Sequence, residues 1–110
     1  MGHYLEVPIS VELPTTETEG AATKVLGLFD KHLYITGTLT SCSYTVQVSP
    51  DADSSDWHNV QVVGADGSRT TAITATGVYK ITEACARIRM DCTDATTVSG
   101  PVGKLQARAG

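Results

Sequence analysis

From Leu5 to Leu13 the apolar residues fall on every second position. Leu5, Val7, Ile9, Val11 and Leu13 alternate with Glu6, Pro8, Ser10 and Glu12. Side chains of an extended chain alternate with period two, so the pattern predicts a strand with one apolar face. Pro8 and Pro14 supply no backbone N–H, which keeps most of the segment out of the middle of a sheet. Two arrangements satisfy both facts: an edge strand of the chain's own sheet, or an extended arm laid across a partner. Residues 1–14 are therefore read as an N-terminal arm or edge strand. The polar run Thr15–Gly20 is read as a linker, and residues 21–110 as one β-sandwich domain.

The period-two pattern recurs along the rest of the chain. Ala21–Phe29 fits a short helix or a strand, with Gly27 weakening the helical reading. Leu33, Ile35 and Leu39 share a face, with Gly37 in step as a bulge or a close backbone approach. Tyr44, Val46 and Val48 follow, then a turn cluster over residues 50–56 and a return strand from Trp57 to Val63. Asp66-Gly67 marks a tight turn, since glycine supplies positive φ without steric cost. Thr70–Thr76, Val78–Ile81 and Cys85–Cys92 read as further strands. In the last, Ala86, Ile88, Met90 and Cys92 face one way, and Arg87, Arg89 and Asp91 the other. Residues 93–101 read as a turn-rich loop before a final strand from Val102 to Ala109. No ten-residue segment carries a helical stripe. The expectation is an all-β, antiparallel, jelly-roll-like sandwich of roughly seven to nine short strands.

Composition narrows the function classes. A chain of 110 residues fits one domain, and 41% hydrophobic residues suffice for a core. The formal net charge is −4 and the basic residues are scattered, which argues against direct nucleic-acid binding. No segment is long and apolar enough to span a bilayer, and no leader-like run opens the chain. Synthesis in the cytoplasm is expected. Three cysteines, Cys42, Cys85 and Cys92, are an odd number for a disulfide framework and read as buried free thiols.

Candidate chemistry is sparse. Asp51, Asp53 and Asp56 offer oxygen ligands at a rough calcium spacing, but without the central Gly and terminal Glu of an EF-hand loop. Aspartates are also common in turns for their own backbone bonding. Trp57 with His58 could form a stacking platform for a sugar or base; the favoured reading is that a lone Trp at a strand start caps the sandwich core. Arg87 and Arg89 could hold an anion, or form a solvated strand face or a contact rim. His3, His32 and His58 lie too far apart in sequence to suggest zinc. No nucleophile elbow or paired-carboxylate spacing selects a catalytic centre, so no enzyme activity and no cofactor are expected.

The run Thr45-Val46-Gln47-Val48-Ser49-Pro50-Asp51, followed by Asp56-Trp57-His58-Asn59-Val60, a Thr-rich strand, Gly77-Val78-Tyr79 and Ala86-Arg87-Ile88-Arg89-Met90, resembles small β-sandwich virion proteins of tailed bacteriophages. The resemblance covers about residues 33 to 92. It implies a structural part in the virion. Capsid decoration or cement is the leading expectation, with the major capsid protein or other virion proteins as partners and a homo-oligomeric state. The five apolar residues Leu5, Val7, Ile9, Val11 and Leu13 are then the expected assembly contact, each worth about 1.5–3 kcal/mol if fully buried. The alternatives are a carbohydrate- or ligand-binding module of a tail fibre, which would use Trp57, His58 and the Asp51–Asp56 loop, or another head–tail or tail component.

Overall fold

The computed structural model describes residues 5–53 and 55–109, without the side chains of 40, 41 and 96–99. Residues 1–4, including His3 and the start of the expected arm, lie outside the described residues. Eight strands run through the described part: β1 (Leu5–Val11), β2 (Thr23–Lys24), β3 (Leu28–Ser49), β4 (His58–Val60), β5 (Val62–Val63), β6 (Arg69–Thr70), β7 (Gly77–Ile81) and β8 (Arg87–Ala109). All pairings are antiparallel, and no described residue is helical.

Two strands differ in length from the expectation. β3 has 22 residues and β8 has 23, and they pair along nearly their whole lengths. Each serves two sheets. One sheet runs β1-β8-β3-β7-β5-β6; the other is β2-β8-β3-β4. Counted by sheet, that is six strand segments and four. The segment 93–101, expected as a loop, is the middle of β8. Its small and polar residues carry no alternation, yet pairing with β3, interrupted by a bulge at each end, holds the segment extended.

The long pair is irregular at three bulges, one of them between Thr36 and Thr38. Gly37 sits there with φ 98°, and a Cβ at this position would collide with the backbone of Gly100. Two backbones thus approach more closely than any side chain permits, as the sequence position of Gly37 suggested. On one side of this crease, β1 and β7 join the long pair; on the other, β2 and β4 do.

The N-terminal segment lies against its own body. β1 pairs with β8 from Leu5↔Ala109 to Val11↔Gly103, as the outer strand of the six-stranded sheet. Edge placement tolerates Pro8, whose missing N–H would interrupt a central strand. The apolar stripe turns inward progressively. Leu5 is 70% exposed, Val7 and Ile9 are half-buried, and Val11 and Leu13 are buried. Residues 15–20 are not a free tether: Cys92 N–H donates to the Thr18 carbonyl (2.9 Å) and Gly20 N–H to that of Met90 (2.7 Å). The chain from residue 5 to 24 therefore flanks β8 across both sheets.

One core fills the space between the sheets. Leu33, Ile35 and Leu105 from the six-stranded side meet Val46, Ile88 and Met90 from the other. The expected inward set Ala86, Ile88, Met90 and Cys92 is buried throughout. Tyr44 is fully buried, donates a 2.6 Å hydrogen bond to the Pro14 carbonyl, and exchanges backbone bonds with Ile73. It fastens the N-terminal segment and the Ile73 bridge to β3 at one point. Burial, with the neighbouring Cys92 and Cys42, pushes its phenol up to about 12.

Candidate interaction surfaces

Directly paired residues on neighbouring strands point to the same side of a sheet. The register therefore defines what each outer face presents.

On the four-stranded sheet, Gln47 pairs with Arg89 and with Asn59, and Ser49 pairs with Arg87. These side chains bind one another. Arg89 Nε donates to Gln47 Oε1 (2.7 Å), and Gln47 Nε2 to Asn59 Oδ1 (2.9 Å). Arg87 donates to the Asp51 carbonyl (3.1 Å) and to Ser49 Oγ (3.2 Å). Trp57, immediately before β4, lies against both guanidinium groups, at 4.8 Å from Arg87 and 4.3 Å from Arg89. Such cation–π contacts hold an aromatic ring in place. Glu19 sits 3.9 Å from Arg89. Trp57 is half-buried on the outer face, so the expectation that it caps the core gives way to a different role: it roofs a polar ladder. As a stacking platform it is already engaged by two of the chain's own cations.

The acidic loop is likewise turned to local use. Asp51 Oδ1 accepts from Asp53 N–H (3.0 Å), an Asx turn. Asp56 Oδ1 lies 2.9 Å from His58 Nε2, with both side chains exposed. Among the described residues, no three His, Cys, Asp or Glu side chains gather as a metal site. Asp51 serves the turn and Asp56 the histidine, and the three aspartates do not gather around one point. The thiols of Cys42, Cys85 and Cys92 are free, and burial pushes all three up, which suits structural cysteines rather than nucleophiles.

The outer face of the six-stranded sheet is different. Its rows read Glu6–Arg108–Phe29, then Pro8–Gln106–His32–Lys80, then Ser10–Lys104–Tyr34–Val78, then Val102–Thr36. Phe29, Tyr34 and Val102 are 40%, 44% and 48% exposed, which places three of the five large exposed apolar residues among the described ones on this one face. Tyr34 stands between shallow hollows. One is lined by Glu6, Asp30, His32, Gln106 and Arg108; another, of about 400 Å³, by Thr36, Val102, Lys104 and Gln106. The charges around the first are fixed in place. Arg108 Nε lies 3.6 Å from Glu6 and 3.5 Å from Asp30, Gln106 donates to Glu6 (2.8 Å), and His32 Nδ1 is 3.2 Å from the Asp30 carbonyl.

The sequence reading did not select Tyr34 or Val102. A signal existed: both fall out of phase with the inward residues Leu33, Ile35, Leu105 and Ala107. An apolar residue on the polar phase of a strand marks a surface with something to bind.

No family model and no curated protein matches the chain. Among solved structures, it superposes on the crystal structure of the SPBc2 prophage-derived protein YomS with a TM-score of 0.78. That match covers 99% of this chain and 97% of the other at 14% identity. The likeness is one of fold, along the full length of both molecules.

Proposed function

We propose that the chain is a bacteriophage virion structural protein that decorates and stabilises the capsid. The observation that carries this reading is the end-to-end match in fold to a prophage-derived protein of nearly the same length. The sequence resemblance to small phage virion sandwiches points the same way. So does the exposed apolar set on one outer face, which suits a protein that works by surface contact. Within the N-terminal stripe, Val11 and Leu13 are buried in the chain's own core, while Leu5 keeps apolar surface open to a neighbour.

The test is particle composition. Virions of the phage that encodes the chain are purified and their proteins quantified by mass spectrometry. The chain is expected in many copies per particle, and particles lacking it should lose their DNA at lower temperature. Its absence from purified virions, or unchanged heat resistance without it, would end this reading.

A further inference from the structure

The geometry points to the outer face of the six-stranded sheet as the docking surface, and to an acidic patch on the capsid protein shell as its occupant. This inference rests on the structural role proposed above and names the contact.

The two outer faces give the first argument. On the four-stranded side, the arginines and the tryptophan are bound to one another, and a partner would have to break those bonds to use them. On the six-stranded side, Phe29, Tyr34 and Val102 are exposed on a rigid sheet, and desolvating them on binding is favourable. A tyrosine standing between hollows, with an arginine held beside it, is the composition of an interface centre.

Charge supplies the second argument and selects the partner. Glu6 and Asp30 are both engaged with Arg108. Lys104 pairs directly with Tyr34 and Lys80 with His32 in the adjacent row; both lysines are exposed and form no ion pair among the described residues. The cationic charge left over on this face stands out in a chain of net charge −4. An acidic surface complements it, while a second copy of an acidic chain would meet general repulsion.

The test uses particles from a phage deleted for this chain, to which purified protein is added and co-sedimentation measured. Wild type is expected to bind. Tyr34→Ala combined with Val102→Ser should bind at least tenfold more weakly while melting at the wild-type temperature. Lys80→Glu with Lys104→Glu should also bind at least tenfold more weakly, and added salt should weaken wild type far more than this charge variant. Asn59→Ala, on the opposite face, should bind like wild type. Full binding by both double variants would overturn the surface and leave the structural role standing. No binding by wild type would overturn the role as well. Tyr34-dependent self-association in solution, or Tyr34-dependent glycan binding, would replace the assigned occupant.

Discussion

Trp57 and Tyr34 each stand on an outer sheet face, on opposite sides of one sandwich, flanked by residues of the same two long strands. Trp57 is stacked on two guanidinium groups that are themselves tied to Gln47, Ser49 and the Asp51 carbonyl. Tyr34 stands clear between hollows, with lysine and histidine neighbours that leave its ring open to water. One face binds its own polar groups to one another and stabilises the fold. The other ties Arg108 and Gln106 to acidic neighbours but leaves Tyr34 and Val102 exposed. The lesson is that residue type alone does not mark a binding aromatic. What marks it is whether its neighbours are already engaged with it.

The crease that separates the two faces gives the sharpest way to break the comparison. Gly37→Ala is expected to destabilise by about 3 kcal/mol or more, because it adds strain at positive φ to a collision with the Gly100 backbone. For a domain of this size that lowers Tm by more than about 10 °C in a circular-dichroism melt. Gly67→Ala has a similar φ, 86°, but open space, and should lose only about 1 kcal/mol. Equal losses at the two sites would show that close approach does not shape the crease.

Aromatic against aromatic comes next. Trp57→Ala should cost about 2 kcal/mol in denaturant unfolding, from two cation–π contacts and lost burial. Tyr34→Ala should stay within about 0.5 kcal/mol of wild type. The reverse order would contradict the division between a self-satisfied face and an open one.

Tyr44→Phe is expected to cost about 1 kcal/mol at neutral pH, because the Pro14 carbonyl loses its partner. It should also alter the alkaline limb. Below pH 10 folded and unfolded chains both hold the phenolic proton. Between pH 10 and about 12 the unfolded chain releases it and the folded chain does not, so wild type loses stability as pH rises. The variant lacks that component and keeps only the loss from the other raised groups, the three thiols and Tyr79. Parallel curves above pH 10 would show that Tyr44 ionises freely.

The smallest effect belongs to the acidic loop. Asp51→Ala removes one Asx bond at an exposed turn and should cost about 0.5 kcal/mol. Millimolar calcium should leave the Tm of wild type and variant alike. A calcium-dependent rise lost in the variant would make the loop an ion site.

Much of the architecture was legible wherever alternation was clean. Ala86, Ile88, Met90 and Cys92 fixed one inner face, and Asp66-Gly67 fixed a turn, where Ser68 N–H and Oγ both donate to the Asp66 carboxylate. Legibility failed where bulges reset the phase. β3 crosses three irregularities, so one strand read as two; residues 93–101 alternate nothing and read as a loop. Of the candidate surface, Tyr34 and Val102 were visible in principle as out-of-phase apolar positions. The engagement of Trp57 was not, because Arg87 and Arg89 lie some thirty residues away along the chain.

By itself the sequence determined an all-β chain, the inward residues of each strand, and an N-terminal stripe that proline confines to an edge. Those are local properties, set by side-chain period and by the presence or absence of a backbone N–H. Only the tertiary structure decided that the stripe closes the chain's own core, that two strands run through both sheets, and which aromatic remains open. Those outcomes depend on which distant residues meet across a sheet, and cross-strand pairing is a non-local choice that no single segment encodes.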